Sequence, residues 1–293
     1  MDNHRSETVG PGLSAIRLHM VGCGHMGSAL LKRWLARGLR PDLASVSEPS
    51  PSEWLRRQRA NGLSLNAALD DAPDVVVVAT KPDLVAEALK PLAPLGNGRT
   101  VFASIAASTS IAVMEGVLGA KTPILRAMPN VPAEIGCGVV GAVHNQGDDA
   151  ASLAPAMALF SAVGTIVHLD TEEQMHALTA ISGSGPAYVF AMAEALEQAA
   201  LDFGLPASTA RKLGVQTVFG SGALMARGEA TPTDLRKSVC SPGGTTEAAL
   251  SVLLADREGL FELIRETTKA AHHRSAELAN SKESNKGGAL EAS

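Results

Sequence analysis

At 293 residues, with 45% hydrophobic and 19% charged side chains, the chain can build one large domain or two ordinary ones and bury sizeable cores. A net charge of −5 and only six Phe, two Trp and one Tyr argue against a nucleic-acid partner, which would need basic surface and stacking rings. Three cysteines without paired spacing (Cys23, Cys137, Cys240) read as reduced thiols, no apolar run approaches the roughly 18 residues of a membrane helix, and the start lacks a signal-peptide core. A cytoplasmic protein is expected.

Residues 1–14, "MDNHRSETVGPGLS", are polar and expected to be a disordered tail. From 15 to 170, short apolar runs alternate with helix-like segments. The strand candidates are "AIRLHMVG", "LASVS", "DVVVVAT", "TVFASIA", "PILRAMP", "CGVVGAV" and "GTIVHL". Between the first of them lie "MGSALLKRWLARG", "PSEWLRRQRANG" and "PDLVAEALKPLAP", with helical apolar spacing. Such alternation implies crossovers and a doubly wound, mostly parallel sheet, an α/β Rossmann-like domain.

The first strand runs into "VGCGHMGSALL", where Gly22, Gly24 and Gly27 form G-x-G-x-x-G at the start of a helix. In that context Gly22 makes the tight turn, Gly24 lets a pyrophosphate approach the backbone, and Gly27 lets helix and strand pack closely. Cys23, His25 and Met26 fill the loop and are candidate cofactor contacts; His25 reads equally well as a plain exposed loop residue. The second strand ends in "SVSEPSPSEW". Glu48 could accept from both ribose hydroxyls, which favours NADH, while Ser47, Ser50 and Ser52 could donate to the 2′-phosphate of NADPH. The reading leans to NADH. "VVVVATKP" brings Ala79, Lys81 and Pro82 to the edge where such sheets bind ligands, although Lys81 could be an ordinary surface lysine.

After 170 the strand patterns stop. Residues 171–280 read as helices rich in Ala and Gly, with few large core residues of their own, which suggests a core completed by a second copy. Residues 281–293 are expected to be a second disordered tail. Within the helical half, "SVCSPGGTTEAALSVLL" passes from a polar turn into a helix. It is either a helix break with a threonine cap or a cradle for a small anion on free amides.

These motifs in this order, with "SIAAS", "RAMPNVPAEIGCGV" and "ISGSGPAYVF", resemble the pyrroline-5-carboxylate reductase family across Ile16–Leu278. The resemblance implies a dinucleotide-binding domain, a helical dimerisation domain and, in some members, assembly beyond dimers. It implies hydride transfer from NADPH or NADH to the C=N bond of 1-pyrroline-5-carboxylate, giving L-proline without a metal. It further implies that Ser241, Gly243, Gly244, Thr245 and Thr246 bind the substrate. The amides of Gly244, Thr245 and Thr246 would hold its carboxylate, the Thr246 hydroxyl would act at the ring nitrogen, and Thr245 would cap the helix. Asn66, eight residues before Asp74, matches a cofactor-contacting asparagine, though the loop before it is shorter here. Asn130 is expected to shape the cofactor cleft from a turn. The family has Gly at Ser108 and Thr at Val131, departures that bear on cofactor affinity. A related cyclic-imine reductase and an inactive dinucleotide-binding regulator are the competing readings. His272 and His273 lack metal-ligand spacing, and Cys240 has no role in the reaction.

Overall fold

The structure, a computed structural model, describes residues 12–290 except 70, 108, 148 and 149. In chain order the sheet-forming half contains β1 (Leu18–Val21), α1 (His25–Ala36), β2 (Ala44–Ser47), α2 (Glu53–Gln58), β3 (Ser64–Leu65) and β4 (Val75–Val78). It continues through α3 (Val85–Leu89), β5 (Val101–Ser104), α4 (Ile111–Leu118), β6 (Ile124–Pro129), β7 (Gly138–His144), α5 (Ala154–Ser161) and β8 (Gly164–His168). The helical half comprises α6 (Gln174–Leu178), α7 (Gly185–Asp202), α8 (Ala207–Ala226), α9 (Pro232–Ser238), α10 (Thr245–Leu253) and α11 (Leu260–Leu290).

All seven strand candidates form strands. The sheet order is β3-β2-β1-β4-β5-β6-β7-β8, and every neighbouring pair is parallel except β6 with β7. The two-residue edge strand β3 was not foreseen; its "SL" is too short to carry an alternation signal. Every residue of β1, β4 and β5 is buried, as expected of strands covered on both faces by crossover helices. Successive residues feed opposite cores. Leu18, Met20, Val75 and Val77 join Trp34 and Phe160 on one side, while Val76, Val78 and Phe102 join Val85 and Met114 on the other. The Trp34 indole satisfies its donor on Leu159 O at 2.6 Å and meets Phe160 edge-on at 6.0 Å.

The chain does not divide where the strands end. One compact unit runs through Gly183 and takes in the residues from Ser275 onward; the other is Ser184–Arg274. The compact units part later than the strand pattern ends because the following turn is pinned to the sheet half. Glu172 accepts from Arg126 Nη1 at 2.8 Å and from the Ile111 amide at 3.0 Å, at the first turn of α4, and Met175 is buried in the second core. His176 meets Ser275 Oγ at 2.9 Å through Nδ1, a satisfied histidine of the same unit. "TAISG" (Thr179–Gly183) forms a π turn, and the Thr179 hydroxyl donates to Met175 O at 2.6 Å.

The tail expectations need correction. Leu13–Ala15 already makes a 3-10 turn, while residues 1–11 lie outside the described residues. At the other end α11 continues to Leu290, past the expected stop at 280. "SKESNK" contains no helix stop, and extending an existing helix costs far less than nucleating one.

In the second unit α7 and α8 pack closely at Gly214, where a Cβ would lie 2.6 Å from Ala193 O. Of these two long helices only Ala200, Ala210 and Gly214 are buried, and Val189, Phe190, Leu213 and Phe219 stand exposed. Among the described residues no helix is long and apolar enough to cross a membrane.

Candidate active site

The strand order reverses at β1, with β2 and β3 on one side and β4 onward on the other. Loops leaving the carboxyl ends of β1 and β4 therefore diverge and open a crevice, the position where such sheets bind ligands. A cleft of about 810 Å³ lies there, lined by Gly22 and Gly24, by Ser47, Glu48 and Asn66, and by Ala79 and Lys81. Gly22 has φ +83°, and a Cβ on it would meet Thr80 Cγ2 at 2.8 Å and Ala79 O at 2.9 Å. A Cβ on Gly27 would meet Ala79 Cβ at 3.2 Å. Gly24 differs, since a Cβ there would enter open space with nothing within 4 Å. Two of the glycines serve the fold; the third leaves room beside the N-terminus of α1, where amides and the helix dipole favour an anion.

At the end of β2, Glu48 is held rather than solvated. Its Oε2 accepts from the Cys23 amide at 2.7 Å and its Oε1 from the Ser50 amide at 2.9 Å. Asn66, with φ +56°, clasps the Glu48 backbone from both sides, accepting from Glu48 N at 2.7 Å and donating to Glu48 O at 2.9 Å. Asn66 thus lines the cleft while its amide group braces Glu48. Lys81 is exposed at the rim.

In the other unit, Gly243 has φ +69° and turns the chain into α10. The helix cap is Gly244, with no side-chain cap bond, so Thr245 is the first helical residue and not the expected cap. Glu247 takes the capping role by reaching back to accept from the Gly243 amide at 2.7 Å. The Gly244 amide is also engaged, donating to Ser241 O at 2.9 Å, which corrects its expected place among the free amides. Thr245 and Thr246 remain as helix-start amides that no helical carbonyl can reach. The Thr246 side chain is half-buried beside them.

The family model for the pyrroline-5-carboxylate reductase dimerisation domain matches residues 172–278, and that for coenzyme F420-dependent NADP oxidoreductases matches residues 17–108. The chain is 36% identical over 272 residues to the pyrroline-5-carboxylate reductase of Pseudomonas aeruginosa, covering 91% of this chain and 98% of the relative. The chain belongs to the pyrroline-5-carboxylate reductase family. The Escherichia coli member is 30% identical, with 90% and 99% covered. Among solved structures, the Coxiella burnetii reductase superposes with a TM-score of 0.82 at 32% identity, over 90% of this chain and 98% of that one. The Plasmodium falciparum reductase, solved with NADP bound, gives 0.76 at 26% identity over 92% and 100%.

For this reductase, the structure gathers only part of the set read from the sequence into the cleft. Gly22, Gly24, Ser47, Glu48, Asn66, Ala79 and Lys81 line it. Cys23 and His25 instead face a neighbouring cavity of about 430 Å³ that shares Gly24 and Glu48 with it. Burial pushes the Cys23 thiol up in pKa, and the sulfur sits 3.5 Å from Ser28 Oγ. Met26 packs on the core, and Gly27 is buried under Ala79. Pro82 opens a 3-10 turn, where its fixed φ suits the first position, and is absent from both linings. Asn130 is absent from the linings of both cavities. Its Nδ2 donates to Ser182 O at 3.0 Å and its Oδ1 accepts from Val139 N at 2.9 Å, which fastens the π turn to the end of β6. Val131 is exposed at the head of a 3-10 turn, and Ser108 lies outside the described residues. Several cleft residues were missed, Thr80 and Glu87 among them, and the most telling is His19, buried on β1 two places before Val21 and facing the same side. Its signal was present, a lone polar residue inside an apolar strand.

Proposed function

We propose that the protein reduces the C=N bond of 1-pyrroline-5-carboxylate to L-proline with a nicotinamide dinucleotide. The reading rests on the union, in one chain of this family, of a cleft at the β1/β4 switch point with an anion-receptive start of α10 in the dimerisation segment. The glycine loop suits the pyrophosphate because the space a Gly24 side chain would fill is empty. Glu48 and Ser47 take the adenosine ribose, and Lys81 lies at the rim for a phosphate or ribose oxygen. When bound, the reduced nicotinamide supplies the hydride to the imine carbon.

The chain's own part is to hold the imine and manage one proton. The amides of Thr245 and Thr246 hold the substrate carboxylate, helped by a dipole contribution of about 0.3–1 kcal/mol. Ser241 and Gly243 shape the turn that presents them, and Glu247 stiffens it through the Gly243 amide. The Thr246 hydroxyl donates to the ring nitrogen as it gains basicity, which orients the imine and relays its proton. The intact glycine loop and "SPGGTT" turn favour this reading over an inactive regulator.

The active protein is a homodimer joined through its C-terminal helices, supported by the exposed Phe190 and Phe219 and by the dimerisation-domain match. Three free cysteines, one of them exposed, suit the reducing cytoplasm.

The deciding assay follows loss of nicotinamide absorbance with racemic 1-pyrroline-5-carboxylate, run with NADH and NADPH in parallel. Substrate-dependent oxidation is expected, faster with NADH. Thr246→Ala should lower kcat by about 100-fold or more, the usual worth of positioned proton transfer, with cofactor affinity unchanged. Unaltered turnover would remove Thr246 from the reaction, and no oxidation of either cofactor would sink the assignment.

A further inference from the structure

His19 lines the cleft, and the reaction does not use its chemistry. It is 3% exposed on β1, between β2 and β4, at the floor of the cleft below Ser47 and Glu48. A buried strand position needs no imidazole for packing, and burying a polar ring is costly unless both nitrogens find partners. Both do. Nδ1 lies 2.8 Å from Ser45 Oγ and Nε2 lies 3.3 Å from Ser47 Oγ, two side chains that β2 presents on the same face.

We infer that His19 is a positioning residue for cofactor choice: it makes Ser47 a hydrogen-bond acceptor, so that the ribose-facing wall selects a free 2′-hydroxyl over a 2′-phosphate. The inference rests on the dinucleotide reading given above. Its basis is the direction of one hydrogen-bond chain. Ser45 Oγ also lies 3.3 Å from the Leu18 carbonyl, which can only accept, so the single Ser45 hydrogen goes there. Ser45 then accepts from His19, which puts the ring proton on Nδ1. Burial holds the ring neutral, with its pKa lowered to about 4, so no second proton is present near neutral pH. Nε2 is therefore bare and takes the Ser47 hydrogen. The opposite direction would forgo the Ser45–Leu18 hydrogen bond.

Ser47 then has only lone pairs to offer a ligand. The next residue is alike, since the ionised Glu48 carboxylate is fixed by the Cys23 and Ser50 amides and can only accept more. Two consecutive acceptors suit a sugar edge that donates two hydroxyl hydrogens. A phosphate carrying about −1.5 to −2 charges has none to give and meets the carboxylate charge. Ser47 is thereby withdrawn from the phosphate-donor role that its residue type allowed.

The test needs no turnover. In the full-length chain labelled with 15N-histidine, long-range proton–nitrogen spectra read the tautomer of each ring, and His19→Phe identifies the His19 signals by their loss. Protonated Nδ1 with bare Nε2 is expected; a proton on Nε2 overturns the inference whatever the variants do. Calorimetry then gives Kd for ADP-ribose and for its 2′-phosphate, fragments without a nicotinamide. The wild type should bind ADP-ribose at least about tenfold more tightly. His19→Phe should narrow that ratio about fivefold, the worth of one redirected hydrogen bond. In a Ser47→Ala background the same substitution should leave the ratio alone. A folded His19→Phe protein with the wild-type ratio would end the role of His19 while leaving the cofactor site standing. Failure of the wild type to bind either fragment would overturn the dinucleotide reading and this inference together.

Discussion

The sheet half and the helical half of this chain solve burial in opposite ways. In the first, β4 and β5 bury all eight of their residues, and Trp34, Phe102 and Phe160 are fully enclosed. In the second, two helices of 18 and 20 residues bury three small residues between them and leave Phe190 at 57% and Phe219 at 65% exposure. Wide crossover helices let a parallel sheet complete both its cores within one chain. Helices whose contacts run through Ala and Gly approach closely but leave their large side chains on the outside, the face that the proposed second copy would cover.

The contrast breaks first at the exposed helical face. Phe219→Asp places a charge where a partner's apolar surface should cover it, so light scattering after gel filtration should show the mass of one chain where the wild type shows two or more. A wild-type mass retained by the variant would mean that Phe219 lies outside the interface. The same logic makes the wild-type thermal midpoint rise with protein concentration.

Next in size is the core. Phe102→Ala, inside the sheet, should cost about 3–5 kcal/mol in urea unfolding whatever the protein concentration. A cost that varied with concentration would mean the sheet half also depends on the assembly.

His19 sharpens the comparison through pH. Its folded-state pKa is lowered to about 4 from 6.5, so the unfolded chain takes up a proton that the folded one refuses. Its contribution is fully present above about pH 6.5 and is lost as pH falls towards 4, at most about 3 kcal/mol in all. Urea midpoints between pH 7 and 4 should fall less steeply for His19→Phe than for the wild type; parallel curves would mean that the ring charges in place.

The smallest effect on stability separates the glycines. Gly24→Ala should leave the thermal midpoint within a degree or two yet weaken dinucleotide binding, because only a ligand occupies that space. Gly22→Ala should lower the midpoint itself, since its φ is positive and its Cβ would strike Ala79 O. Equal behaviour of the two variants would make Gly24 another fold glycine.

Much of this was legible in the sequence. Seven of the eight strands, the glycine loop, the helical second half and the family followed from apolar periodicity and from motifs whose residues are close in the chain, where backbone sterics and local hydrogen bonding act directly. Only the tertiary structure decided the rest, and in each case because the partner is distant in sequence. Glu172 is tied to the sheet half by Arg126, within the compact unit that runs to Gly183. Asn66 braces Glu48 across 18 residues, and Asn130 holds Ser182 across 52. His19 looked like one polar residue in an apolar strand. Its meaning depends on the parallel register that sets it opposite Ser45 and beside Ser47, and no local pattern carries a register between strands 26 residues apart.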